Sequence, residues 1–133
     1  MSRAWLALGS NLGDRDGYLA RARAALARAA IRVTRESRVA ETAPIGVIDQ
    51  PAFLNQVLEV ETTLEPRALL QRVKGIELEL GRQSRERWGP REIDIDILRY
   101  DNRTVDEPGL RIPHAELKNR PFLQDLLAEI GQR

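Results

Sequence analysis

The chain has no cysteine and a single histidine, His114, so neither a disulfide framework nor a Cys/His zinc site is open to it. Lysine is nearly missing: Lys74 and Lys118 are the only two among 21 basic residues, and the formal net charge is +1. A near-neutral balance disfavours a globally basic nucleic-acid binder, so cationic character has to be local. Long apolar runs are missing too. The N-terminal stretch Met1-Ser-Arg-Ala-Trp-Leu-Ala-Leu-Gly is strand-like, without the length or cleavage pattern of a signal peptide, and nothing approaches the ~20 apolar residues of a membrane span. Nor is there a repeat, a linker or a low-complexity tract. These exclusions leave a single domain over residues 1–133, expected to be cytoplasmic, monomeric in preference to oligomeric, and without membrane or nucleic-acid partners.

What is present concentrates in Arg87-Trp88-Gly89-Pro90-Arg91-Glu92-Ile93-Asp94-Ile95-Asp96-Ile97-Leu98. Successive side chains of a strand point to opposite faces, so Ile93, Ile95 and Ile97 share one face and Asp94 and Asp96 the other. At i and i+2 the two carboxylate stems stand roughly 6 to 7 Å apart. Bare anions repel at that spacing, but it suits hard cations such as Mg²⁺, which takes one or two carboxylates together with substrate phosphates. Upstream, Arg82, Arg85, Arg87 and Arg91 supply planar forks that match phosphate oxygens. The plainer reading of Asp-x-Asp is a solvated strand face. Against it, aspartate is a poor strand former, and two of them sit in an isoleucine-rich strand beside a Trp-Gly-Pro turn.

Trp5-Leu6-Ala7-Leu8 reads as a buried first strand running into the loop Gly9-Ser10-Asn11-Leu12-Gly13-Asp14. That loop fails both phosphate-loop templates and is expected to be a structural turn, with Asp14 or Asp16 capping the next helix. A helix follows over residues 16–30, then a single strand over 31–41 and an irregular loop over 43–51. In the next strand, 52–62, Phe53 and Asn55 share a face with Val57. A ring and an amide side by side can stack on a flat heterocycle and read its edge, although Phe53 as plain core is the simpler assignment. Pro66 and Gly81 bracket a second helix whose flank carries Lys74 and Glu77. Residues 82–90 form a polar, lid-like segment with Trp88 its one large aromatic. A final helix begins near Asn119. The order βαββαβ predicts an α+β ferredoxin-like sandwich, helices on one face of a mainly antiparallel sheet and the other face free for ligands.

With these residues in place the chain resembles the 6-hydroxymethyl-7,8-dihydropterin pyrophosphokinases of folate biosynthesis. The resemblance runs from Leu8 to about Ile130. It rests on Leu8-Gly9-Ser10-Asn11-Leu12-Gly13, Thr42-Ala43-Pro44-Ile45-Gly46, Gln50-Pro51 with Phe53-Leu54-Asn55, Glu77 with Leu80-Gly81-Arg82, the Arg87–Leu98 stretch, Pro113-His114, and Arg120 with Phe122. It implies an ATP- and Mg²⁺-dependent transfer of pyrophosphate to the pterin hydroxymethyl group, releasing AMP. Asp94 and Asp96 would hold two Mg²⁺ ions, a general-base role for Asp94 ranking below metal binding, and Arg82 and Arg91 would share in catalysis. The pterin would lie between Phe53 and Phe122, its edge read by Asn55, Thr42, Ala43 and Ile45, with Trp88 alongside. ATP would be gripped by Leu70, Lys74, Glu77, Arg87, Trp88, Arg91, Ile97, Arg111, His114 and Arg120.

The chain departs from the family pattern at a few positions. Phe53 stands where tyrosine is frequent, Gly109 where arginine is frequent, with Arg111 two residues on as a substitute, and Ala115 where a larger residue is common. Two other classes of function remain to be weighed: a metal-binding or small-molecule-sensing module without catalysis, and a nucleic-acid-binding sheet using Phe53, Trp88 and the arginines.

Overall fold

The computed structural model describes residues 1–44, 49–85 and 89–132. Strand β1 (Ser2–Ser10) is the middle of the main sheet, antiparallel to β4 (Phe53–Thr62) on one side and to β5 (Asp94–Tyr100) on the other. β2 (Arg32–Glu36) and β3 (Ala40–Thr42) lie end to end along β4, so the order across the sheet is β2-β4-β1-β5. With helices α1 (Arg15–Arg28) and α2 (Pro66–Glu79) linking the strands, this is the ferredoxin-like α+β sandwich. A separate hairpin, β6 (Val105–Glu107) with β7 (Leu110–Ile112), follows β5.

Apolar residues of alternate positions weld the two helices to one face. Leu6 and Leu8 of β1, Leu58 and Val60 of β4, and Ile95 and Ile97 of β5 meet Leu19 and Leu26 of α1 and Leu69, Val73 and Ile76 of α2. Each side chain of this kind, wholly removed from water, stabilises the fold by about 1.5–3 kcal/mol. The caps follow local chemistry: the Asp14 carboxylate accepts from the Gly17 amide at 3.1 Å, proline opens α2, and Gly81 beyond its end takes φ +100°.

Four expectations change. The strand over 31–41 is two strands, because the Ser37 hydroxyl accepts from the Val57 amide and donates to the Arg38 carbonyl, replacing a main-chain rung. Gly9 and Ser10 belong to β1 and not to a loop. The last helix, α3, spans Pro121–Glu129 after a single 3-10 turn at Leu117–Asn119. Most consequentially, α3 does not join the other helices. Its Leu123, Leu126 and Leu127 pack with Trp5, Val57 and Leu98 on the opposite face, so only part of that face stays open.

β5 also carries a bulge. Leu6 pairs with Ile97 but Trp5 pairs with Arg99, leaving Leu98 as the extra residue. The bulge resets the alternation, so that Tyr100 turns into the helix-side core although Asp94 and Asp96, also even-numbered, face the other way. There its hydroxyl donates to the Leu64 carbonyl at 2.6 Å.

Candidate active site

The uncovered part of that face is a cleft of about 340 Å³ floored by Ala7 and Gly9 of β1. Because side chains alternate, β5 presents Asp94 and Asp96 to it while Ile95 between them is wholly buried on the other side. β4 presents Phe53 and Asn55 by the same rule, and α3 contributes Phe122 and, just before it, Arg120. Thr42 and Ala43 close the wall at the end of β3. The Asn55 amide nitrogen donates to Thr42 Oγ1 at 2.7 Å and to the Ala40 carbonyl at 3.3 Å, which leaves its carbonyl oxygen to accept from a ligand.

A second cavity of about 400 Å³ adjoins the first and is lined by Leu70, Ile97, Gly109, Leu110, Arg111 and Ala115. Lys74, Asp96 and His114 line both. The two lobes therefore meet at a carboxylate, an ammonium and an imidazole. Of the residues expected to hold nucleotide, Leu70, Lys74, Ile97, Arg111 and His114 fall together in the second lobe, and Arg91 and Arg120 in the first. Glu77 lines neither. Its carboxylate, on α2, is 3 % exposed and accepts from Arg82, Lys74 and the Ile95 amide. Ile45, Arg87 and Trp88 lie outside the described residues.

Charge at the junction is closely matched. Arg82 and Arg91 each put Nη1 on a different oxygen of Asp94, at 2.9 and 3.1 Å, and Lys74 Nζ stands 3.6 Å from Asp96. Burial alone would raise Asp94, but Lys74, Arg91 and Arg82 outweigh it and hold the carboxyl below its usual range. Asp96 goes the other way, pushed up to about 7 by burial and by the charge on Asp94. A second anion beside Asp94 is thus disfavoured, and a further hard cation between the two carboxyls would relieve that repulsion. Among the described residues no group of three or more His, Asp or Glu could hold a metal. Two carboxylates form an incomplete cage, which fits Mg²⁺ arriving with phosphate and water oxygens to fill its remaining positions. Burial and the Arg120 charge lower His114, keeping the ring neutral near pH 7. Its Nδ1 accepts from the Glu116 amide at 3.1 Å, so Nε2 carries the hydrogen, aimed toward Asp96 4.0 Å away.

Sequence reasoning treated Asn11 as part of a turn. In the structure it is wholly buried at the end of β1 and ties two site segments together. Its amide nitrogen donates to Gln50 Oε1 at 2.8 Å and to the Pro51 carbonyl at 3.0 Å, and its Oδ1 accepts from the Arg91 amide at 2.8 Å. The only trace in the sequence was a side chain able to donate and accept at once, next to glycines. Asn11→Ala strands these partners, and urea unfolding is expected to show a loss of about 2–3 kcal/mol. A loss below about 0.5 kcal/mol, the level of an ordinary surface change, would refute the tie.

A family model described as 7,8-dihydro-6-hydroxymethylpterin-pyrophosphokinase matches residues 5–132. The chain is similar to the 2-amino-4-hydroxy-6-hydroxymethyldihydropteridine pyrophosphokinase of Bacillus subtilis, 45% identical over 131 residues, covering 98% of this chain and 78% of that protein. It is 44% identical over 132 residues to the protein of the same description from Methylorubrum extorquens, covering 98% of this chain and 84% of the other. It also matches a mitochondrial folate synthesis bifunctional protein of Pisum sativum, 41% identical over 125 residues, covering 94% of this chain and 24% of that longer protein.

Proposed function

The chain belongs to the 7,8-dihydro-6-hydroxymethylpterin-pyrophosphokinase family, and from that premise we propose how its two lobes carry out the transfer of pyrophosphate from ATP to the pterin hydroxymethyl group in folate biosynthesis. The pterin occupies the first lobe, stacked between Phe53 and Phe122, with Asn55 Oδ1 accepting from a ring N–H and the Thr42–Ala43 backbone beside its edge. The adenosine part of ATP occupies the second lobe against Leu70 and Ile97. The triphosphate then crosses the junction. Lys74, the His114 Nε2–H, Arg111 and Arg120 donate to its oxygens, while Arg82 and Arg91 face the group in transfer.

The hydroxymethyl oxygen attacks the β-phosphorus, the bond from that phosphorus to the α-bridging oxygen breaks, AMP departs, and the hydroxyl proton passes to solvent water or to Asp94. A loose transition state asks little covalent help of the protein, so the gain comes from alignment and from donors already in place. Mg²⁺, as two ions held by Asp94 and Asp96, supplies charge neutralisation on the phosphate oxygens. The observation that carries this reading is the sharing of Lys74, Asp96 and His114 by both lobes, which puts an acidic and cationic centre between a flat-ring pocket and a nucleoside pocket.

The test is product identity: AMP must appear only when ATP, Mg²⁺ and the pterin are all supplied. Release of ADP, or AMP formation without pterin, would sink it. The cleft floor gives a second check. A methyl at Gly9 would sit 3.5 Å from Asn55 Oδ1 and 3.6 Å from Phe53 Cδ1, ordinary contact distances, whereas branched bulk would project into the ring pocket. Gly9→Val is therefore expected to fold and to weaken pterin binding at least about tenfold in a fluorescence titration, with Gly9→Ala close to wild type.

A further inference from the structure

Resting on the pyrophosphokinase reading, we propose that Glu77 is a positioning residue that holds Lys74 partly away from Asp96, keeping that carboxylate available to the divalent cation. Glu77 is a carboxylate at 3 % exposure that the transfer itself does not use. Its Oε1 accepts from Arg82 at 2.7 Å, and its Oε2 accepts from Lys74 at 3.2 Å. Arg82 Nη1 bridges Glu77 and Asp94, 2.9 Å from the latter, whereas Lys74 stands 3.6 Å from Asp96. Lys74 is thus nearer to Glu77 than to the aspartate it would otherwise neutralise.

The same carboxylate sets the strand. Ile95, between the two aspartates, donates its amide to Glu77 Oε2 at 2.6 Å, and its carbonyl accepts from Lys74 at 3.0 Å. β5 is the edge of the sheet, and these contacts satisfy both of its outward backbone groups at the residue that fixes where Asp94 and Asp96 point. Burying a carboxylate under a helix is costly, and here the cost is offset by three donors that together arrange the cation site.

Glu77→Gln separates this role from simple packing, because glutamine keeps the shape and an acceptor for the Ile95 amide while losing the charge. Freed from Glu77, Lys74 should settle on Asp96 and compete with the metal. Mn²⁺ binding, measured by electron paramagnetic resonance with a non-hydrolysable ATP analogue present, is expected to weaken at least about fivefold, with thermal midpoint and pterin KM little changed and kcat reduced. In a Lys74→Gln background, which itself weakens the hold on the triphosphate, adding Glu77→Gln should change the affinity by no more than about twofold, since the competitor is gone. Unchanged Mn²⁺ affinity in a folded Glu77→Gln, or an equal loss from Glu77→Gln in the Lys74→Gln background, overturns the proposal. Should Glu77→Gln not fold, Glu77→Asp retains the charge but withdraws it from both cations by one methylene. At least about a twofold weakening is then expected, and wild-type affinity again overturns the idea. The Mn²⁺ measurement needs no turnover, so a failure of the pyrophosphokinase reading would show separately, in the wild-type product assay.

Discussion

Asp96→Ala is expected to lose at least about 10³-fold in kcat/KM for AMP formation, equivalent to roughly 4 kcal/mol of transition-state stabilisation. The reason is position as much as chemistry. Asp96 belongs to both lobes, so its loss removes the carboxylate nearest the crossing point of the triphosphate. The fold should survive, because Asp96 is about a third exposed, at 34% for its side chain, and its ion-pair partners Lys74 and His114 are partly exposed as well. Steady-state rates across a Mg²⁺ titration make the check. Asp94→Ala belongs in the same experiment, and if both variants kept wild-type rates at low Mg²⁺ the metal assignment would be wrong. A chelator added to the wild-type protein should reproduce the Asp96→Ala loss and excess Mg²⁺ should reverse it.

The second large effect is expected at the arginines. Arg82→Ala should lower kcat by about 10²-fold with KM for either substrate changed only a few-fold, the pattern of a donor whose contact strengthens in the transition state. In the resting structure Arg82 is occupied by Glu77 and Asp94, so its guanidinium is oriented before any phosphate arrives. Lysine in its place lacks the planar fork that meets phosphate oxygens bidentately, and Arg82→Lys should recover only part of the rate. Arg91→Ala should follow the same pattern, through the other oxygen of Asp94. A variant of either arginine that raised KM with kcat intact would place that residue in ground-state binding instead.

Strand chemistry was the legible part of this molecule. Asp94 and Asp96 against Ile93, Ile95 and Ile97, and Phe53 with Asn55, can be sorted to faces by period two alone, and the structure sorts them that way. The Pro66 and Gly81 boundaries of α2 were legible because each residue has one conformational use there. What period two cannot carry is contact between distant segments. Asn11 looked like a turn residue because its partners lie 39 to 80 positions away. Glu77 read as a helix-flank residue facing a ligand or solvent, and the docking of β5 beside α2 buries it. The placement of α3 was misjudged for the same reason: its apolar stripe is visible in the sequence, but which face of the sheet it covers is settled by Trp5, Val57 and Leu98. The β6–β7 hairpin had a signal, Pro108-Gly109 between two short alternating runs, with Gly109 at φ +74°, that the reading passed over.

The extra residue in β5 works as a phase shifter between two demands on one ribbon. Upstream of Leu98 the chain must offer acids to solvent, and downstream it must sink Tyr100 into oil; a regular ribbon would meet one demand and violate the other. The Leu98 carbonyl accepts the His114 amide at 2.9 Å, so the same irregularity also hangs the imidazole at the junction. Shortening the ribbon by that one residue would therefore set anchor and workplace out of step. A protein engineer moving this Asp-x-Asp unit into another sheet would have to carry the misfit along with it.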